Sequence, residues 1–218
     1  MTVKSRATPK VPPRRANYRH GDLQQALLAA GIALARAGGP EAVVLREATR
    51  RAGVVPNAAY RHFAGREDLL LAVRGAALAA LAEAIEAKFA GLRRARDPAV
   101  HARASLRAVG TAYIDFALTE TGLFRTAFAA CDDNRDVGDL AKSRTGGMNP
   151  FQLLGLALDR MVEAGLLPPE RRPGAEYLAW SAVHGLAMLV IDGPMRGHPR
   201  AQTEAIGQRL LDMVEKGL

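Results

Sequence analysis

Within the segment Arg46 to Phe63, REATRRAGVVPNAAYRHF, four hydrogen-bonding side chains fall inside six positions: Asn57, Tyr60, Arg61 and His62. Such groups on a short helix can read nucleic acid. Arginine pairs twice with guanine, asparagine twice with adenine, and a methyl such as that of Ala58 can touch thymine. Asn57, Ala58 and Arg61 are therefore the candidate base readers. Arg61 lies between Tyr60 and His62 and has phosphate as its other partner. Arg46, upstream, is a further phosphate candidate. The Tyr60 ring can pack in a small core while its hydroxyl stays free, and both roles can hold at once. Phe63 is assigned to the core.

Two short helices must position these groups. Arg46 to Ala52 is rich in helix formers, without Gly or Pro. Gly53 can end that helix in the left-handed conformation, and Pro56 suits the first position of the next. Ala48, Ala52, Val54, Ala59 and Phe63 form the apolar set that packs them at a steep angle. About seven residues, roughly two turns, remain for the second helix, which is too short to stand alone. The pattern predicts a helix-turn-helix with its second helix in the major groove. A plain helical corner would share the turn but not the charge. Residues 1–68 hold 12 Lys and Arg against 5 acids, whereas residues 69–218 hold 18 against 17. A phosphate-binding footprint is local in this way. Lys4, Arg6, Lys10, Arg14, Arg15 and Arg19 stand in an acid-free, Pro-bearing arm. It reads either as a solubilising tail or as an arm that follows phosphates or enters the minor groove.

These residues carry a resemblance. Tyr18 to about Leu81 is similar to the DNA-binding domain of TetR-type transcriptional regulators. The likeness rests on Leu23, Leu27, Ala30 and Leu34, AGV at 52–54, AYRHF at 59–63 and GREDLL at 65–70. It implies that Tyr60, His62 and Arg66 face phosphate. Val55 stands where a side-chain N-cap is common, and Ala48 where a larger aliphatic is usual. Downstream, YIDFALTETGLFRTAF at 113–128 and Trp180, His184 and Gly185 in AWSAVHGLAML resemble a subgroup with a Trp-His-Gly C-terminal signature. The resemblance implies an all-α homodimer that binds a double-stranded DNA operator and is released by a small-molecule effector. Its dimer would form through the last two long helices in a four-helix bundle. Its effector would lie in the C-terminal body, where Tyr113, Phe116, Phe128, Phe151, Trp180 and His184 are candidate lining. Each of these types also fills plain cores. Trp180 and His184 are one turn apart and can touch. His184 would bond either an effector or a backbone carbonyl, the latter being the preferred reading.

The expected architecture is all-α, with about nine helices: a basic arm at 1–17, a three-helix helix-turn-helix head at 18–80 and a helical effector and dimerisation body at 81–218. No sustained apolar–polar alternation calls for a sheet. Helix four starts near Arg66 and shows Leu78, Leu81, Ile85, Phe89 and Leu92 on one face. The next, 99–119, turns Leu106, Val109, Tyr113 and Phe116 inward. Further helices are expected at 121–130, 151–165, 173–191 and 200–216, the last with Ile206, Leu210, Met213 and Val214 on one face. Asp132, Asp133, Asp136 and Asp139 follow Cys131 and read as a solvated acidic turn, since no His stands nearby and the spacing of a calcium loop is absent.

Other classes fit less well. The 5 histidines are scattered, and no nucleophile elbow, phosphate loop or metal pair appears; neither an enzyme, a metal nor a cofactor is expected. The single cysteine cannot form an intrachain disulfide, which suits a reducing cytoplasm. No secretory signal is visible, and the longest apolar run, 177–191, is too short to cross a bilayer. A non-specific DNA-compacting protein would spread its basic charge over the whole chain, and the balanced 69–218 argues against it. A ligand-binding module without a DNA role would not need Tyr60, Arg61, His62 and Arg66. The expectation is a sequence-specific transcriptional regulator, a repressor in preference to an activator.

Overall fold

The computed structural model describes residues 20–93, 95–129 and 147–218. The basic arm, Cys131 and the four aspartates after it lie outside these residues. Nine α-helices and two short 3-10 turns make up the described part, with no strand among them. No helix there is long and apolar enough to cross a membrane.

The first three helices are α1 (His20–Gly38), α2 (Leu45–Ala52) and α3 (Pro56–Ala59). Gly53 closes α2 at φ 69°, where a Cβ would be strained, and its N–H bonds back to Arg50 and Thr49 carbonyls. Pro56 opens α3, and Val55 before it gives no side-chain cap. The second helix is shorter than the seven residues expected. Regular α-helix covers four residues, and the chain then continues as a hydrogen-bonded turn in which His62 and Phe63 N–H both reach the Ala59 carbonyl. An uncapped start and so short a span leave little to hold a second α-turn. Ala48 and Ala59 are fully buried and Phe63 nearly so, against Leu27, Leu34, Val43 and Val73.

Helix α4 (Arg66–Ala90) runs from the head into the body, a span of roughly 37 Å at 1.5 Å per residue. Leu69, Leu70 and Val73 pack below the head, and Leu78, Leu81 and Ile85 in the body. The Asp68 carboxylate accepts from the Ala64 N–H at 3.0 Å, which helps to fix the helix start. Helix α5 (Pro98–Thr119) is capped by Asp97 and buries Leu106, Val109, Tyr113 and Phe116 on the expected stripe. Then come α6 (Thr121–Ala127), α7 (Pro150–Glu163), α8 (Ala175–Ile191) and α9 (Arg200–Gly217). Asn149 and Gln152 form a reciprocal capping box at the start of α7.

The buried face of α9 is rotated from the expected one. Thr203, Gly207 and Leu211, four apart, lie against the body, and Met213 is 60% exposed. Ile206, Leu210 and Val214 sit at the boundary. Gly110 of α5 provides the reason: a Cβ there would run into the Leu211 side chain, so its missing side chain seats Leu211 and turns the Thr203, Gly207 and Leu211 face, not the bulky stripe, inward.

Candidate nucleic-acid interface and internal cavity

The groups expected to meet DNA cluster around the helix-turn-helix but differ in their freedom. Arg46, Asn57 and Arg61 are exposed, and Ala58 and His62 partly so. Tyr60 is 60% exposed, so its ring lies outside the head core. Arg66 is half engaged inside the head. Its guanidinium donates to the Pro40 carbonyl at 3.0 Å and to Glu67 at 2.7 Å, and approaches Glu41 at 3.5 Å. The sequence reading missed a surface charge cluster on α2. Glu47 takes a two-pronged contact from Arg50 and a third bond from Arg51. These hydrogen bonds, Arg50 first, hold its carboxyl at about 2, so one carboxylate offsets one of the two positive charges of Arg50 and Arg51. The i, i+3 and i, i+4 spacing on a helix was the available signal.

In the body, a cavity of about 60 Å³ lies among α4, α5, α7, α8 and α9. Of the six candidate lining residues, Tyr113, Phe128, Phe151 and Trp180 border it. Phe116 is buried away from it, and His184 stands behind Tyr113. Leu78, Ile85, Leu154, Val183 and Leu211 complete an almost wholly apolar wall, with Arg107 and Asn149 among its polar members.

The Tyr113 hydroxyl is the centre of a short relay. It accepts from the Trp180 indole N–H at 3.0 Å and lies 2.7 Å from His184 Nδ1. The hydroxyl has one proton to give; donated to Nδ1, it places the His184 proton on Nε2. The expected backbone carbonyl partner for His184 is thus replaced by a side chain from another helix. Burial pushes the Tyr113 hydroxyl well above its ordinary range and lowers His184 below its own, so both stay neutral near pH 7. Phe124 meets Tyr113 edge-on at 5.4 Å, and Phe128 stacks between Phe124 and Trp180 at 4.9 and 5.9 Å.

Helix α6 carries Phe124 and leads into Phe128, and it also touches the head. Its Gly122 abuts the last turn of α1, where a Cβ would lie 2.6 Å from the Arg36 carbonyl oxygen. Arg36 donates to Glu120 at 2.9 Å beside it. Arg125 grips the end of α8 through Asp192 and the Ile191 carbonyl, and Arg74 of α4 donates to the Ala127 carbonyl at 3.0 Å. One short helix therefore contacts the cavity's aromatic wall, the head and the long connecting helix.

Comparison with known proteins finds two matching segments. A model of bacterial regulatory proteins of the tetR family matches residues 27–73, and one described as a tetracyclin repressor-like C-terminal domain matches 106–214. Among solved structures, a protein with unknown function from Rhodococcus sp. RHA1 is 25% identical, with TM-score 0.72 over 93% of this chain and 98% of that one. A tetR-family regulatory protein from Rhodococcus RHA1 is 20% identical, with TM-score 0.59 over 88% and 96%. FadR from Bacillus subtilis, solved with stearoyl-CoA, is 12% identical, with TM-score 0.66 over 89% and 98%. At their identities the last two speak to the fold alone. No curated protein matches the chain.

Proposed function

The chain belongs to the tetR family of bacterial regulatory proteins, and we propose that this DNA-binding transcriptional regulator is a dimeric repressor, released from a palindromic operator by a small molecule. The observation that carries the release is the position of α6. Phe128 borders the cavity and packs on Phe124 of α6, while Gly122 of the same stretch sits on α1. A molecule that widens the cavity on this side moves Phe128 and its neighbours, and α6 cannot shift without displacing the head. The effector acts only if it binds the displaced arrangement better than the DNA-bound one.

On the DNA side, Asn57, Ala58 and Arg61 read bases. Tyr60, His62 and Arg46 hold phosphates, and Arg66 contributes chiefly by bracing the turn before α2. The basic arm at 1–17 adds phosphate contacts next to the main site. Residues 18–80 act as the head and 81–218 as the effector and dimerisation body, in the cytoplasm where the operator lies. Two heads are needed, because one short helix reads too few bases. Support for a dimer comes from α8 and α9, which expose Leu178 at 63%, Leu189 at 44% and Met213 at 60%. Exposed apolar side chains concentrated on two adjacent helices suit a four-helix interface with a second copy.

The test is selection of random duplexes by the full-length protein, followed by sequencing. A palindrome with two equal half-sites is the expected result. Enrichment of no motif would favour non-specific compaction by a basic protein, and a single half-site would remove the dimer from the reading.

A further inference from the structure

Taking the cavity as the effector site, we infer that the effector is a slender apolar molecule ending in a carboxylate, and that Arg107 receives that carboxylate. The wall excludes most alternatives. Polar groups placed against Leu78, Ile85, Leu154 and Val183 would lose water and gain no partner. The Tyr113 hydroxyl is engaged on both sides by Trp180 and His184. The Asn149 side-chain oxygen is held by the Gln152 N–H at 2.9 Å. Among the described lining residues, Arg107 alone carries a charge.

Arg107 is also placed to change partners. Its side chain is 31% exposed, at the rim of the cavity. It bonds Gln208 at 2.6 Å and Asp212, and Glu215 stands at 3.7 Å. Asp212 is 53% exposed, so its carboxylate can return to water at little cost, as exposed ion pairs are weak. A carboxylate presented from inside the cavity meets the same planar fork of donors in a drier setting, where a charge-assisted bond is stronger. The exchange releases Asp212, and with it one of the ties between α5 and α9.

Cavity size points the same way. About 60 Å³ is room for only a few waters, whereas ligand sites run from roughly 300 Å³ upward. An effector must part the walls, and Leu211 and Val214 of α9 form one of them. Leu211 is seated on Gly110 of α5 with no side chain between. Wedging an apolar chain beneath Leu211 while taking Arg107 from Asp212 loosens the same helix twice. The apolar body and the anionic end thus act on α9 together.

Trp180 is the single tryptophan and borders the cavity, so its emission reports occupancy in the full-length protein. Octanoate, octan-1-ol and octylammonium would be titrated, with melting temperature as a second readout. The expected result is a response to octanoate at about tenfold lower concentration than to octanol, with octylammonium weakest. Arg107→Gln should erase the preference for octanoate over octanol. Arg107→Lys should restore part of it. Asp212→Asn, which removes the competing charge without touching the wall, should tighten octanoate several-fold. Equal response to octanoate and octanol, or a preference that survives Arg107→Gln, would overturn the carboxylate assignment while leaving the cavity reading intact. A Trp180 signal and melting temperature unmoved by all three probes would overturn the cavity reading and this inference with it.

Discussion

Gly122 and Ala35 meet where the body joins the head: a Cβ at Gly122 would run into the Ala35 carbonyl oxygen in the last turn of α1. The neighbouring atom is rigid helical backbone, so relief requires moving α6 or α1. Gly122→Ala should therefore cost about 1–3 kcal/mol of stability through overpacking. More tellingly, it should weaken operator binding while the Trp180 response to a cavity ligand persists. Melting curves, operator titrations and Trp180 emission check the three parts. Unchanged operator affinity in a destabilised variant would show that this contact does not couple head to body.

The exposed groups of the head should separate by substitution. Arg61→Ala should remove discrimination at one position of the half-site, at about 1–3 kcal/mol for a missing bidentate pair. Tyr60→Phe should weaken all sites alike. Arg66→Ala should weaken all sites too, but with a lower melting temperature, because the guanidinium braces Pro40 within the head. Binding to a panel of single-base operator variants decides. A uniform loss for Arg61→Ala would move that residue to phosphate.

Local features of the fold were legible in the sequence; those that depend on which helices cross were not. The Gly53 turn and the Pro56 start follow from backbone preferences of single residues, so both could be read directly. The stripe Leu106, Val109, Tyr113 and Phe116 could also be read, since periodicity reports which face is buried. Periodicity does not say what lies opposite. Tyr113 and His184 are 71 positions apart, and their bond exists only because α5 and α8 pack at that height. Phe116 shares the stripe with Tyr113 yet misses the cavity. Arg107 reads as an ordinary solvated charge until α9 is laid across α5. The rotated face of α9 hid for a related reason: Gly110 on α5 carries no hydrophobic signal, but its absent side chain makes the room that Leu211 of α9 fills.

The Tyr113–His184 bond makes a pH prediction. Burial lowers the His184 pKa, so the unfolded chain binds the proton more readily than the folded one. By linkage, the stability from neutral His184 is fully present above its unfolded value of about 6.5. It is lost as pH falls from there through the lower folded value. Protonation would also turn Nδ1 into a donor and force the Tyr113 proton elsewhere. The wild type should therefore lose more melting temperature than His184→Gln between neutral pH and the mildly acidic range. Parallel curves for the two proteins would mean that His184 is not held neutral by the fold.

Deleting residues 1–17 removes five Lys and Arg and no acid. If the arm touches phosphate, affinity should fall and the slope of log K against log salt should flatten by about 0.9 for each phosphate the arm had neutralised. Operator titrations at several salt concentrations give the slope directly. An unchanged slope would make the segment a passive tail.

The apolar faces of α8 and α9 set the last prediction. Leu178 is 63% exposed and Met213 60%, and burial of such side chains in a dimer contributes about 1.5–3 kcal/mol each. Leu178→Glu reverses that gain and adds the cost of desolvating a carboxylate. Each 1.4 kcal/mol is about tenfold in the dimer dissociation constant, so one substitution should give monomers at micromolar concentration. Leu178 projects away from the protomer's own core, so helical content and melting of the monomer should change little. Operator binding should fall with dimerisation and recover partly at high protein concentration, because two heads must be joined to read two half-sites. Sedimentation equilibrium beside operator titration checks both halves. A variant that stays dimeric would place the interface elsewhere, whereas a monomer that binds the full operator unchanged would show that one head suffices.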